Sequence, residues 1–162
     1  VCEAMPAYFL LAGDGPRREA LEELARRTGV GDRVLFLGSR RDIGDVLRAS
    51  DLSVLSTRPE QETLSVAAIE AMTAGLPVVC TDVGFMREIV LPGKTGELVP
   101  VGDAGALAEK IVNLLGDSGL RRRMGEAARA LAHERLTVAR MAPAFEDLFE
   151  RLARKESRPC AA

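Results

Sequence analysis

The stretch Glu62-Thr63-Leu64-Ser65-Val66-Ala67-Ala68-Ile69-Glu70-Ala71-Met72-Thr73-Ala74-Gly75-Leu76-Pro77-Val78-Val79 decides how this chain folds. Thr63 or Ser65 can cap a helix, and Gly75 and Pro77 mark its end, which predicts a helix over Ser65–Ala74. Val78 to Thr81 then reads as a short apolar run bounded by turn residues. A strand apolar on both faces belongs to a parallel sheet covered by helices.

The same alternation extends in both directions. Tyr8–Ala12, Val34–Leu37 and Leu52–Leu55 are further continuous apolar runs. Arg17–Thr28 supplies a helix between the first two, with Leu21, Leu24 and Ala25 on one face, and Asp42–Ala49 a shorter one before the third. The βαβαβαβ order predicts an α/β domain, a Rossmann-like parallel sheet with helices on both faces. Beyond Thr81, Pro92-Gly93-Lys94-Thr95-Gly96 reads as a turn and Glu97–Val99 as a last strand. Asp103 caps a helix to about Leu115, and Leu120–Glu134 and Thr137–Arg154 read as extra C-terminal helices. The expected organisation is one domain over residues 1–155 with a frayed tail at 156–162.

Composition narrows the function. The chain has 162 residues, 47% hydrophobic and 28% charged, enough for a full core without metal or cross-links. Twenty-two basic against 24 acidic residues give a net charge of −2, with no footprint for nucleic acid. Aromatics are only 4% and Trp is absent, which disfavours a module that stacks sugars or bases on aromatic faces. A single histidine, His133, argues against a His-centred metal site and reads as a surface residue. Cys2, Cys80 and Cys160 are too few and too widely spaced for a disulfide framework, and a cytoplasmic setting is expected.

Chemistry must then come from glycines, carboxylates and backbone. Gly13-Asp14-Gly15-Pro16 joins a strand to a helix, where glycine permits unusual φ angles or close approach of a ligand. The same residues also suit a tight turn with no ligand, and a third glycine at dinucleotide-fingerprint spacing is missing. The predicted helix start at Ser65 offers free N–H groups and a positive dipole end, suited to phosphate. Glu62 and Glu70 are eight residues apart, about 80° around a helix and roughly 12 Å along it. They cannot grip one small atom. They can hold two ends of an extended ligand, or equally Glu62 can be solvated and Glu70 paired with Lys or Arg.

The run from Glu62 to Val79 resembles the E-x7-E signature of retaining glycosyltransferases of the GT-B fold, especially glycosyltransferase family four. Leu11–Pro16, Val34–Gly38, Ala49–Asp51, Thr81–Gly84, Gly93–Gly96 and Gly102–Asp103 resemble further family blocks in the same order. The likeness covers Tyr8 to about Leu152.

This resemblance implies the C-terminal, nucleotide-sugar-binding half of a GT-B enzyme. Glu70 is implied to hydrogen-bond the ribose hydroxyls, and Glu62 to lie beside the transferring sugar carbon as the catalytic glutamate. Thr63, Leu64 and Ser65 fall at the distal phosphate. Gly13 and Gly15 are implied to let the chain pass close to the donor, and the backbone after Gly38 to edge the base. The implied donor is a nucleotide-diphosphate sugar such as a UDP- or GDP-sugar, with retention at the anomeric carbon and no metal. The acceptor is expected on an N-terminal domain, toward which the final helix packs, and peripheral membrane association of the intact protein is compatible with the resemblance. Val1–Ala4 reads as a helix end. The chain is therefore expected to be a fragment without that domain and without its own first strand, binding nucleotide without turnover.

Thr63 and Leu64 stand where the family usually has Gly and an aromatic, and Phe85 where a second Gly usually follows Gly84. The family's Arg–Lys pair for the diphosphate falls before Val1, and Arg58 and Arg87 are substitutes to weigh against surface roles. A GT-B epimerase and a non-catalytic nucleotide-sugar-binding module are the competing readings.

Overall fold

The computed structural model describes residues 1–59 and 64–156. Among them are five strands: β1 (Phe9–Ala12), β2 (Val34–Gly38), β3 (Ser53–Leu55), β4 (Val78–Thr81) and β5 (Gly96–Val99). The helices are α1 (Arg18–Arg27), α2 (Ile43–Arg48), α3 (Val66–Thr73), α4 (Met86–Ile89), α5 (Ala104–Gly116), α6 (Ser118–Arg135) and α7 (Val138–Glu156). The expected elements are present within a residue or two at most ends. The single turn α4 and a 3₁₀ turn at Gly31–Arg33 are additions, too short to leave a periodic pattern. Val1–Met5 forms one turn, closed by the Ala4 and Met5 amides on the Val1 carbonyl.

Every strand pairing is parallel, and the strands fall into two hydrogen-bonded groups, β1–β2 and β3–β4–β5. β4 is the hub and is buried throughout. Its side chains alternate between two cores. Val78 and Cys80 face Ala68, Ala71 and Met72 of α3 and Ala128 and Ala132 of α6, while Val79 faces Ile111 and Leu114 of α5. This is period-2 alternation feeding two helical layers, the reason the strand reads apolar at every position.

Two glycines set how closely the layers approach. A Cβ on Gly96 would lie 2.0 Å from the Val78 carbonyl oxygen, and one on Gly125 would lie 2.0 Å from that of Gly75. The second contact lets α6 lie directly on the turn that ends α3. Thr95 closes the connection into β5: its buried hydroxyl accepts from the Leu91 amide at 2.8 Å and donates to the Ile89 carbonyl at 3.3 Å.

The β1–α1–β2 unit is covered differently. Of the face expected to pack, only Ala25 is buried, while Leu21 and Leu24 remain 43% and 50% exposed. Leu10 and Leu35 are also exposed, and β1 alternates between half-buried and exposed positions. The helical period gives α1 its apolar face, but no described element covers much of it. Along α7, Met141, Phe145, Leu148, Phe149 and Leu152 form an exposed apolar stripe, with the Phe145 and Phe149 rings 6.0 Å apart.

Candidate functional site

The chain passes from β1 outward to β2 on one side and from β3 through β4 to β5 on the other. The helix-containing connections are those that join parallel strands. The order therefore reverses between β1 and β3, and a cavity of about 830 Å³ opens there, lined by Phe9–Ala12, Ser53–Ser56, Ala67 and Glu70 and by none of β2. In open α/β sheets, the crevice beyond the carboxyl ends of the strands at such a reversal is where ligands bind.

Three backbone features adjoin its lining residues Ala12 and Ala67 along the chain. Gly13 has φ +133° and Gly38 φ +67°, conformations that L side chains rarely adopt. The Gly13 amide donates to the Gly38 carbonyl at 2.8 Å, tying the turns after β1 and β2 together. Gly15, whose amide donates to Asp14 Oδ1 at 2.8 Å, is different. Its φ is not positive, and a Cβ there would meet nothing within 4 Å. Neither the backbone nor packing within the chain requires glycine at that position, while the surrounding space is open.

The third feature is the start of α3. Ser65, 4% exposed, is the N-cap and accepts from the Ala68 amide at 3.4 Å through its hydroxyl. The amides of Val66 and Ala67 have no acceptor among the described residues, the usual state of a helix's first turn and the basis of anion binding there. Leu64 is exposed just before the cap. Glu70, about one turn into α3, is exposed, lines the cavity, and makes no ion pair or hydrogen bond through its carboxylate among the described residues. Among the described residues no Lys or Arg pairs with Glu70. Glu62 and Thr63 lie outside the described residues.

One residue escaped the sequence reading. Arg18 donates from Nε to Glu22 at 2.8 Å and from Nη2 to the Phe36 carbonyl at 3.1 Å, with Cζ 5.9 Å from the Phe36 ring centre. Its Nη1 lies 3.3 Å from where a Cβ of Gly38 would be, so it braces the end of β2 beside the crevice. The only sequence signal was an arginine in the first turn after a glycine loop with a glutamate four residues on.

The two arginines weighed for phosphate are placed apart from one another in role. Arg87 pairs with Asp82, whose carboxylate raises the guanidinium pKa through hydrogen bonding and then charge. Arg58 is exposed and lines a smaller cavity of about 190 Å³ with Thr57, Thr81 and Asp103. Next to Gly38, Asp42 is held below the ordinary carboxylate range, first by its hydrogen bond with Arg40 (2.8 Å). Burial, with a smaller contribution from the Asp82 charge, pushes the Cys80 thiol up to about 12, so it is a core group and no nucleophile. Among the described residues no helix is long and apolar enough to cross a membrane, and Cys2 and Cys80 are free.

Comparison with known proteins decides the family. The profile described as "Glycosyl transferases group 1" matches residues 3–131. The chain belongs to the group 1 glycosyl transferases. Among its relatives, N-acetyl-alpha-D-glucosaminyl L-malate synthase of Bacillus anthracis is 36% identical over 143 residues, 88% of this chain and 37% of the relative. Alpha-D-kanosaminyltransferase of Streptomyces kanamyceticus is 37% identical over 125 residues, 76% of this chain and 32% of the relative. Among solved structures, Anabaena HepE in complex with UDP-glucose superposes with a TM-score of 0.82 at 30% identity, covering 89% of this chain and 41% of HepE. The chain thus spans about a third to two-fifths of the length of these relatives and of HepE. Its α/β fold, parallel sheets flanked by helices, is that of GT-B glycosyltransferases.

Proposed function

We propose that this chain is the donor-binding part of a retaining glycosyl transferase that moves a sugar from a nucleotide-diphosphate sugar to an acceptor held elsewhere in the intact protein. The observation that carries the reading is the coincidence, at one strand-order reversal, of first-turn α3 amides and a Glu70 carboxylate that have no partner among the described residues. A carboxylate can accept both hydroxyls of a ribose diol, and helix amides meet a diphosphate; the two features are placed on the same short helix. The HepE complexes with UDP and UDP-glucose support a uridine donor.

In this reading Glu70 holds the ribose. The backbone amides of Leu64 and Ser65 cradle the distal phosphate, with Thr63 counted among the donor-binding residues. Gly13 and Gly15 let the chain pass close to the donor, and the backbone after Gly38 edges the base. Glu62, through its place in the family motif, lies by the transferring carbon. Charge on the departing diphosphate is met by fixed dipoles aimed at it before the bond breaks, so little reorganisation is needed. No metal takes part, and a chelator is expected to leave nucleotide binding unchanged. Carbohydrate biosynthesis in the cytoplasm is the setting proposed for the intact protein.

The test is calorimetric titration of the chain and of Glu70→Ala with UDP, GDP and ADP. A hydrogen bond to a charged group contributes about 1.5–3 kcal/mol. Loss of the carboxylate is therefore expected to weaken the preferred nucleotide about tenfold or more. Unchanged affinity in a folded Glu70→Ala protein would refute the assignment.

A further inference from the structure

Arg18 opens α1 and is tied to two turns at once. Its amide donates to the Gly15 carbonyl at 3.1 Å, on the turn after β1. Its side chain reaches the end of β2, where the register changes: Leu11 pairs with Phe36 but Ala12 with Gly38, so Leu37 is an extra residue on β2. Such bulges are uncommon between parallel strands and recur next to functional sites, where they re-aim the chain. The guanidinium straddles this one. Nη2 donates to the Phe36 carbonyl at 3.1 Å on one side of Leu37, and Nη1 lies 3.3 Å from the Cβ position of Gly38 on the other. Nε donates to Glu22 at 2.8 Å, which fixes the plane of the fork. With the Gly13 amide on the Gly38 carbonyl at 2.8 Å, these links close into a ring that holds one turn against the other. Just beyond the ring, Ser39 and Arg40 are exposed, and their backbone amides have no acceptor among the described residues.

We propose that Arg18 is a positioning residue for nucleobase selection: by fixing the bulged end of β2, it sets where the Ser39 and Arg40 amides meet the edge of the base. This rests on the donor-binding reading above, in which the backbone after Gly38 edges the base. Bases differ in where their edges place donors and acceptors. A side chain can swivel to suit several such edges, whereas main-chain amides discriminate only as well as their strand end is held. Among the described residues β2 pairs only with β1, so no strand on its other side steadies that end, and the task falls to Arg18. Lysine, a point charge on a flexible stem, can reach the Phe36 carbonyl but cannot also keep the Glu22 bond and the contact at Gly38. Arg18 acts through this backbone rather than on the donor, and the phosphates, met at the start of α3, do not depend on it.

The test is calorimetric titration of the chain, Arg18→Met, Arg18→Lys and Glu70→Ala with UDP, GDP, ADP and pyrophosphate, which has no base. Methionine keeps an unbranched stem beside Phe36 and removes every side-chain donor. It is expected to weaken the preferred nucleotide about tenfold, to weaken the others less so that the preference narrows, and to leave pyrophosphate as in the parent. Lysine is expected to fall between parent and methionine. Thr95→Val, whose change lies at the turn into β5, is expected to keep the parent's preference, which separates positioning from loss of stability. An Arg18→Met protein with the parent's preference overturns the proposal, as does a loss shared in equal proportion by the nucleotides and pyrophosphate. If circular dichroism shows the methionine protein unfolded, the lysine protein decides, and the parent's preference in it overturns the proposal. Where Glu70→Ala weakens the nucleotide and the Arg18 variants leave its preference intact, only the role of Arg18 fails. Where the parent binds none of the nucleotides, the donor-binding reading fails with it.

Discussion

Replacing Gly125 by alanine tests how α3 is held in place. The new methyl would sit 2.0 Å from the Gly75 carbonyl oxygen and 3.0 Å from its carbon. Ordinary contact starts near 3.4 Å, so about 1.4 Å (3.4 minus 2.0) must be gained by movement. The oxygen cannot yield alone, because its turn is pinned by the Gly75 amide on the Met72 carbonyl and the Leu76 amide on the Ala71 carbonyl, at 2.9 and 3.0 Å. Helix α6 must therefore lift, loosening Ala128 and Ala132 from Ala68 and Met72. Overpacking of a filled core costs about 1–3 kcal/mol, and a clash with backbone belongs at the upper end. Alanine returns about 0.8–1.0 kcal/mol of helix propensity, leaving a net loss of about 2 kcal/mol. For a domain of this size that is a fall of roughly 4–8 °C in Tm. Urea and thermal unfolding followed by circular dichroism would measure it. Gly116→Ala is the control, since a Cβ there meets nothing within 4 Å and its stability should hold or rise by a few tenths of a kcal/mol, within the roughly 0.5–1 kcal/mol that alanine gains over glycine in a helix. A Gly125→Ala protein that melts at or above the parent temperature refutes this account of the α3–α6 packing.

Thr95→Val keeps the shape and removes the hydroxyl, orphaning the Leu91 amide; a loss of about 1–3 kcal/mol is expected in urea titration. Ser65→Ala removes the α3 cap. Because the Ala68 amide is 3.4 Å away, the loss should fall near the lower end of the usual 0.5–2 kcal/mol, read by the same titration. Cys80 should resist iodoacetamide in the native chain at pH 8 and react in urea, as mass spectrometry of the modified peptide would show. Its folded pKa, about 12 against a reference of 9.0, also sets a pH window. Below pH 9 both states hold the proton and this contribution is fully present. Between pH 9 and 12 the unfolded thiol ionises first, so stability falls across that interval; a midpoint in urea that stays level there would contradict the assignment.

Much of this molecule can be read from residues alone, and the gaps have physical causes. Val78–Thr81 is legible because a strand covered on both faces must be apolar at every position. Ser65, Gly75 and Pro77 bracket α3 because capping and helix termination are local chemistry. Glu70 was singled out through motif spacing and lines the cavity, while Gly13, singled out as a glycine between strand and helix, directly follows the lining residue Ala12. Strand pairing was not legible. It is a long-range choice, and nothing in Phe9–Ala12 or Ser53–Leu55 states which neighbour each will take. The exposure of Leu21 and Leu24 was missed for a related reason: helical period identifies an apolar face but not what covers it. Gly125 and Gly96 read as ordinary glycines until the atoms they make room for are in view. Arg18 reads as one more surface arginine until Phe36 and Gly38 stand next to it.

The bond from the Gly13 amide to the Gly38 carbonyl has a consequence for the distribution of stability along the chain. It closes β1, α1 and β2 into a small unit, while β3 to α6 share the buried residues around β4. Such a division predicts unequal opening energies, with the first fifty residues the looser cooperative unit. A molecule bound across the crevice would touch both units at once. Its affinity would then appear less as a shift of the whole unfolding transition than as a local tightening, which makes the amino-terminal unit the place where occupancy is reported.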